Sequence, residues 1–447
     1  MNITDRETGG PRGFAFVETE EASAADGAIR CPRPERPRRP HHQGERVPGP
    51  SPRRWRQPLL EVRATKGSGW SVLQPDPLHS SEDHSLGCGF LNSKPSTRSR
   101  PSGTHNRGSA RPERERWVKV LARYGVPNPK RSVLELLFTA VPFLLLWALM
   151  LYCLEGYGYW ACLPLALPAA GFLVRLFMIQ HDCGHGSFFR RRSSNDRIGR
   201  IIGVLTLTPY AYWRRTHAVH HATTGNLDRR GTGDVPLLTV PEYRALPRWR
   251  RIAYRLSRNA LVLLGLGPLY LFVLKYRLPV GLMREGKGVW ISAISTNLAI
   301  AGVVAGMCAL VGIQDFLLVQ LPITLLAGSA GIWLFYVQHQ FEDTYWARQG
   351  TWSFHTGALQ GATHYDLPGV LRWFTANIGI HHVHHLASRI PSYRLREALE
   401  DHAELRDVGR LTLRQSLKCF RLALWDEESG KLVAFRDLAT PLESRCH

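Results

Sequence analysis

Four apolar stretches constrain the fold of this 447-residue chain more than any other feature of its sequence. A transmembrane helix needs about 20 predominantly apolar residues. All four stretches are long enough, and their single charge, Arg175, lies near enough to the end of the second for its side chain to reach the membrane surface. We therefore expect an all-α integral membrane protein with four spans, at Leu136–Leu154, Tyr157–Gln180, Val289–Gln314 and Phe316–Val337.

The connections within the two pairs of stretches are very short and predict two helical hairpins. Spans one and two are joined only by Glu155 and Gly156, and spans three and four only by Asp315. These connections carry no Lys or Arg, whereas the segments before span one, between spans two and three, and after span four are rich in Arg. The positive-inside rule places these three segments, and both termini, on the cytoplasmic side.

Charge and two weaker apolar pieces refine this interpretation. Residues 1–110 hold 17 of the 57 basic and 12 of the 36 acidic residues, so most of the net charge of +21 accompanies the apolar part. Such placement favours contact with membrane lipids over nucleic acid.

Ile198–Trp213 and Leu261–Leu274 are short and interrupted by Gly or Pro. We interpret them as re-entrant or interfacial helices, with a fifth span as the alternative.

Residues 1–110 are predicted to be a disordered, low-complexity extension of a membrane domain at 111–447. Residues 12–18, RGFAFVE, match the base-stacking strand of RNA-recognition domains. Only eleven residues precede this motif, and the Pro-rich residues 31–40 follow it, so the remaining strands and helices of such a domain are missing. We interpret the extension as a fragment joined to an unrelated protein, with a degenerate basic tail as the alternative.

Three histidine clusters, here called boxes one to three, lie in the segments expected on the cytoplasmic side. HxxxH and HxxHH spacings place imidazoles on one helix face, as ligands of a shared metal must be. Imidazole suits Fe, Zn or Cu, and an oxidation favours iron because zinc has no redox chemistry. Eight histidines therefore predict a two-metal oxidation site formed by His181 and His185, by His217, His220 and His221, and by His381, His384 and His385.

Other polar residues near the boxes have weaker claims. His339 follows span four, level with the boxes, and we expect it to be a ninth ligand, with a polar helix terminus as the alternative. His382 lies inside box three, but its ring is expected to point away from its neighbours, so we place it outside the ligand set. Residues that could orient ligand rings, or be ordinary loop or interfacial residues, are Asp182, Asp228, Asp234 and His364.

The longer contexts of the boxes resemble the integral-membrane fatty acid desaturases, especially the acyl-lipid type of bacteria and plastids. The matching segments are HDCGHGSFF, WRRTHAVHHATTGNLDRRGTGD, WLFYVQHQFEDTYW and NIGIHHVHHLASRIPSY, and the resemblance runs from about 112 to 435. It implies a cytosolic di-iron site that inserts a cis double bond into an acyl chain with O₂ and two electrons. The eight box histidines would be the ligands, and His339 is similar to an extra histidine that related enzymes place after the fourth span.

The resemblance also implies partners. The substrate would be an acyl-lipid or an acyl-thioester, and the chain has neither a haem-cytochrome motif nor a GxGxxG motif followed by an acid. Electrons would therefore come from a separate donor such as ferredoxin with its reductase, and no nucleic acid partner is expected. For the position of the double bond, the resemblance favours Δ12 (ω-6). Candidate acyl-channel aromatics, with interfacial anchors as the alternative, are Trp213, Trp333, Tyr336 and Trp373.

Three alternative functions stay open at this point. A hydroxylase or ketolase of the same histidine-rich superfamily, acting on a carotenoid, sterol or alkane, would need equally good boxes. An RNA-binding protein would rest on residues 12–18 alone. A non-catalytic membrane scaffold would leave three intact histidine boxes without a purpose.

Overall fold

A computed structural model of the protein describes residues 110–406 and 408–439. The predicted extension lies outside the described residues except for its last residue, as does the RNA-recognition-like fragment at 12–18. The described part is mostly helical. Its α-helices are α1 (Ala110–Ala122), α2 (Pro129–Tyr157), α3 (Tyr159–Cys162), α4 (Ala166–His185), α5 (Arg192–Leu205), α6 (Tyr210–Thr223), α7 (Val240–Ala245), α8 (Arg248–Arg258), α9 (Lys287–Val311), α10 (Ile313–His339), α11 (Phe354–Gln360), α12 (Gly369–Phe374), α13 (His381–Leu386), α14 (Ser392–Glu400) and α15 (Leu413–Ser416).

Each of the four predicted stretches forms a helix that is long and apolar enough to cross a membrane. The four segments are 25 to 29 residues long and run from Pro129 to Tyr157, Tyr159 to His185, Lys287 to Val311 and Ile313 to His339. Asn128 caps the first of them, since its side chain accepts hydrogen bonds from the backbone N–H groups of Lys130 and Arg131. The chain breaks the helix at Gly158 after the first segment and at Gly312 after the third.

Helices α4 and α10 form the centre of the apolar core. Buried side chains such as Leu176 and Leu173 of α4 belong to the same cluster as Val319 and Ile323 of α10. Because both helices end at histidines, this packing fixes the positions of their last turns relative to each other.

Arg175 departs from the prediction that its side chain would reach the membrane surface. The side chain is buried and forms an ion pair with Glu135 of α2. Its Nε donates to the Thr139 hydroxyl over 3.2 Å, and its guanidinium lies 4.2 Å from the ring centroid of Trp373. A buried cation is retained when a carboxylate and further hydrogen bonds satisfy it, and Glu135 supplies that carboxylate from 40 residues earlier.

The two weaker apolar pieces form no additional straight span in the described residues. Residues 198–213 contribute to the end of α5 and the start of α6. Helix α8 is followed by Val262–Arg277, a π-helical and 3₁₀-helical segment that is bent by 74° from α8. Together, α8 and residues 262–277 are apolar enough to form a fifth, broken span or a re-entrant loop. Both alternatives from the sequence therefore stay predictions.

Five short strands make the all-α prediction wrong in one respect. They are β1 (Leu238–Thr239), β2 (His364–Asp366), β3 (Arg410–Thr412), β4 (Leu424–Asp426) and β5 (Lys431–Val433). Strand β4 pairs in parallel with β1 and antiparallel with β5, and β2 pairs in parallel with β3. Strands of two or three residues are too short for the alternating pattern by which a sequence reveals a strand.

Candidate metal centre

Nine histidines from four helix ends converge into two groups. Each histidine offers one ring nitrogen as a ligand, and within a group these nitrogens all lie within 4.8 Å of one another. We call them group one, with His181, His185, His217, His221 and His384, and group two, with His220, His339, His381 and His385. The structure thus brings together all eight box histidines and His339.

The division into two groups does not follow the division into three boxes. His220 and His221 are adjacent on α6 yet belong to different groups, and His384 is separated in the same way from its neighbour His385. Successive residues of an α-helix point about 100° apart, because one turn takes 3.6 residues. The expectation that the rings of one box lie on a single helix face, as ligands of a shared metal, is therefore wrong for boxes two and three. Each of these boxes contributes to both groups.

The nitrogens of group two face one another as metal ligands do. His339 Nε2 lies 3.1 Å from the Nε2 atoms of both His220 and His381. His339 Nδ1 lies 2.9 Å from the Gly361 carbonyl, which only accepts, so Nδ1 carries the proton and Nε2 a lone pair. His220 Nδ1 lies 2.5 Å from an Asp234 carboxylate oxygen, which likewise leaves Nε2 with a lone pair.

Two lone pairs 3.1 Å apart repel each other unless a cation lies between them. Imidazole nitrogens bind transition metals at about 2.1 Å, so two nitrogens on one ion are about 3 Å apart. The donor set of group two therefore fits a metal ion.

The imidazole nitrogens of group one also face one another, but fewer of these rings are hydrogen-bonded to other protein groups. His221 Nε2 lies 3.0 Å from His217 Nε2 and 3.2 Å from His384 Nε2. His185 Nε2 is buried without a hydrogen-bond partner among the described residues. A buried polar atom without a partner costs about 1–3 kcal/mol, and a bound cation would remove that cost. Unlike the buried group two, group one contains two half-buried members, His185 and His217.

Two of the predicted orienting carboxylates lie beside the histidines. Besides binding His220, Asp234 accepts from the Gly231 backbone N–H over 3.1 Å. Gly233 makes this approach possible, since its φ is +78° and a Cβ there would lie 2.6 Å from the Thr216 carbonyl oxygen. Asp182 lies 3.4 Å from His181 Nδ1, and its other oxygen accepts from the Ser392 N–H over 2.8 Å.

The other predicted orienting residues lie elsewhere. Asp228 accepts from the Arg348 guanidinium and the Gln349 backbone N–H, each over 2.8 Å, and these bonds lower the pKa of its carboxyl. His364 donates from Nδ1 to the Arg406 carbonyl over 3.0 Å. His382, which we placed outside the ligand set, is buried and donates to the Leu405 carbonyl over 2.8 Å.

Burial favours the neutral form of five of the clustered imidazoles. It lowers the pKa of His217, His221 and His384 well below the usual value, and neighbouring histidines add to the shift. The same holds for His381 and His385. Metals bind the neutral form of imidazole, so the electrostatics of both groups suit metal binding.

Sequence reasoning missed two residues that contact the histidines. The Thr224 hydroxyl donates to the His220 carbonyl over 2.7 Å and lies 3.3 Å from His385 Nδ1, whose proton it accepts. Its position four residues after His220, at the end of the same helix, was a usable signal. The Gly361 carbonyl that binds His339 is a backbone atom, and no residue pattern identifies it.

A cavity of about 500 Å³ adjoins the histidines. His181, His217 and His381 form part of its otherwise mainly apolar wall, together with residues of α4, α10 and the bent segment 262–277. Of the aromatics proposed for an acyl channel, Trp213 and Tyr336 line this cavity. Trp333 instead stacks on Phe420 with centroids 4.4 Å apart, and Trp373 packs under Arg175.

Known proteins are similar to this chain in sequence. The family model described as fatty acid desaturase matches residues 157–416, which is more than half of the chain. A Bacillus subtilis protein named fatty acid desaturase is 45% identical over 325 residues, covering 72% of this chain and 91% of the relative.

More distant relatives come from cyanobacteria. An sn-1 acyl-lipid omega-3 desaturase (ferredoxin) from Nostoc is 30% identical, covering 56% of this chain and 70% of its own length. An sn-1 oleoyl-lipid 12-desaturase from Synechocystis is 28% identical, covering 54% and 68%. The chain belongs to the fatty acid desaturase family of membrane oxidoreductases.

Proposed function

We propose that this protein inserts a cis double bond into an acyl chain, using O₂ and two electrons, at two histidine-bound iron ions. The observation that carries the proposal is the contact between two groups of neutral imidazoles and one apolar cavity. A methylene of an acyl chain offers no acidic proton, so acid–base residues alone cannot start its reaction. An apolar cavity beside a redox-capable metal pair suits this substrate.

The chain's own residues would hold the ions and exclude water. Iron bound by the two groups would supply the activation of O₂ and the removal of two hydrogens. Asp234, Thr224 and the Gly361 carbonyl fix the orientation of three rings of group two, so that their metal-binding nitrogens point inward. The apolar wall of the cavity would hold the acyl chain and position one pair of methylenes at the histidines.

We also propose that the four long helices form two membrane hairpins. Helix α4 packs on α2 through the Arg175–Glu135 ion pair. The short connections near Gly158 and Gly312 would face one side, and the histidines, a helical cap and both termini the cytoplasm. The support is the Arg-rich sequence of the segments that carry the boxes.

For the substrate we propose an acyl-lipid desaturated at the Δ12 (ω-6) position. The support is the similarity to relatives named sn-1 oleoyl-lipid 12-desaturase, at 28% and 29% identity. Relatives named omega-3 desaturase are slightly more similar, at 30% and 32% identity, so the ω-3 position is the competing outcome. Two of these relatives carry ferredoxin in their names, which supports ferredoxin with its reductase as electron donor.

The second candidate function is a hydroxylation or ketolation of a carotenoid, sterol or alkane. The two histidine groups would support it equally well, whereas the family match favours desaturation. The RNA-binding alternative rests on residues 12–18, which lie outside the described residues.

Fatty-acid profiling in a host that lacks polyunsaturated acids tests the proposal. We expect the wild-type chain to create a new double bond and His220→Ala to create none. His402→Ala is the matched control, because His402 lies outside both groups, against the ring of Trp117. A hydroxylated product would favour the second candidate. An unchanged profile with iron-loaded wild-type protein would overturn the desaturase proposal.

A further inference from the structure

Three cations on the bent segment and its flanks lack an acidic partner in the part of the chain that the structure describes. Arg258, Lys275 and Arg277 form no ion pair with a described carboxylate. Arg258 and Lys275 line the cavity, and Arg277 follows two residues after Lys275. Other arginines of the same region do have such partners, for example Arg215 with Glu285 and Arg230 with Glu242.

The two arginines are held by neutral groups. Arg258 is 5% exposed and donates to the Pro236 carbonyl and, over 3.0 Å, to the Tyr254 hydroxyl. Arg277 donates to the Asn297 side chain over 2.8 Å and to the Leu207 carbonyl, while its Nε is buried without an acceptor among the described residues. Neither guanidinium group is therefore paired with a described carboxylate.

Lys275 differs from the arginines because its ammonium has no hydrogen-bond partner among the described residues. It lies one helical turn after Leu271, which also lines the cavity, so both residues lie on one face of the segment. Leu207 is another wall residue, and its carbonyl binds Arg277, which places the Lys275–Arg277 pair at the Leu207 part of the wall.

The carboxylates of the cavity wall do not neutralise these charges. Among the described wall residues Asp234 is the one acid, and its two oxygens are occupied by His220 and the Gly231 N–H. Isolated charges beside an apolar space are costly unless a counter-charge accompanies them. A negative charge on the ligand would remove this cost.

We propose that Lys275, with Arg277 beside it, binds a phosphate group on the head of the acyl substrate. An ammonium with three free donors is a general phosphate binder, and the neighbouring guanidinium adds positive potential. The inference rests on the proposed function, since it assumes that the cavity holds an acyl chain. It adds that the chain arrives on a phosphate-bearing carrier, which is held at one part of the wall while the histidines contact the chain at another.

Anchoring the head would give the cavity a way to select a carbon. With the phosphate fixed at Lys275, the number of methylenes between the head and the histidines would decide which bond reaches the metals. A phospholipid and a phosphopantetheine thioester both carry such a phosphate.

Equilibrium binding in neutral detergent, measured by native mass spectrometry, tests the proposal without turnover. The three probes carry the same oleoyl chain as phosphatidylglycerol, as diacylglycerol without phosphate, and as oleoyl-coenzyme A. We expect a phosphate-bearing probe to bind about tenfold more tightly than diacylglycerol. The lipid is the carrier if phosphatidylglycerol shows this preference, and a thioester is the carrier if only oleoyl-coenzyme A does.

Three variants assign the preference to Lys275. Lys275→Gln should abolish it while leaving diacylglycerol binding unchanged, which shows that the cavity is intact, and Lys275→Arg should keep it. Lys287→Gln is the matched control, because Lys287 is exposed and absent from the cavity wall. Equal binding of all three probes, or equal losses in Lys275→Gln and Lys287→Gln, would overturn the proposal. Because no catalysis is measured, this outcome is separate from the fatty-acid profile.

Discussion

The two histidine groups differ in how firmly the protein itself orients them. In group two, three of four rings have their second nitrogen bound by a protein oxygen, from Asp234, Thr224 or Gly361. In group one, the Nδ1 atoms of His221 and His384 have no hydrogen-bond partner among the described residues. Group two would therefore be organised before any ion binds, whereas group one would need a bound ion to order its rings.

The largest expected effect tests the division between the groups directly. His220→Ala and His221→Ala change adjacent residues of one helix, and each should reduce desaturation more than about 100-fold, since losing a ligand exceeds the loss of an orienting residue. Each variant should also bind one ion fewer, as measured by elemental analysis of the purified protein.

Double variants sharpen this test because the groups predict different metal counts. His220→Ala combined with His385→Ala removes two ligands of group two and should leave the ion of group one in place. His220→Ala combined with His221→Ala damages both groups and should leave no ion. Equal metal content in the two double variants would show that the histidines do not form two separate sites.

A smaller effect is expected from the carboxylates that orient the rings. Asp234→Asn should weaken iron binding about 10–100-fold, because the 2.5 Å contact with His220 is lost or altered. Asp182→Asn should cost less, since its contact with His181 is 3.4 Å long. Asp228→Asn serves as the control, because Asp228 contacts Arg348 and Gln349 instead. Metal titration of the three variants checks this order, and a larger loss in Asp182→Asn would reverse our comparison of the groups.

The smallest effect concerns pH. Burial lowers the pKa of His384 in group one and His385 in group two well below the usual value of about 6.5. A lowered pKa keeps the imidazole neutral, so the folded state is favoured above about pH 6.5 and loses that advantage as pH falls towards the folded pKa. Iron content should therefore hold from about pH 8 to about pH 6.5 and fall only in more acidic buffer. Group one, with half-buried His185 and His217, should release its ion first; simultaneous release would contradict this difference.

The sequence predicted the parts of this molecule that depend on local patterns. Apolar length gave the four long helices, and the i, i+3, i+4 spacing gave helical histidine boxes. The division of His220 from His221 followed from helix geometry but was not predicted, because we placed the rings of each box on one helix face. The Arg175–Glu135 ion pair and the Gly361 carbonyl contact of His339 depend on residues distant in sequence, and a single chain carries no local signal for them.

The peptide bond between His220 and His221 has a consequence for how such a protein can diversify. It joins the two groups through one rigid turn of α6, so their separation is set by helix geometry and not by any loop. Meanwhile the bent segment 262–277 lines the cavity but contributes no histidine to either group. Substitutions in that segment can reshape the cavity while the spacing of the two histidine groups stays constant. New substrate preferences could therefore arise without rebuilding the histidine groups.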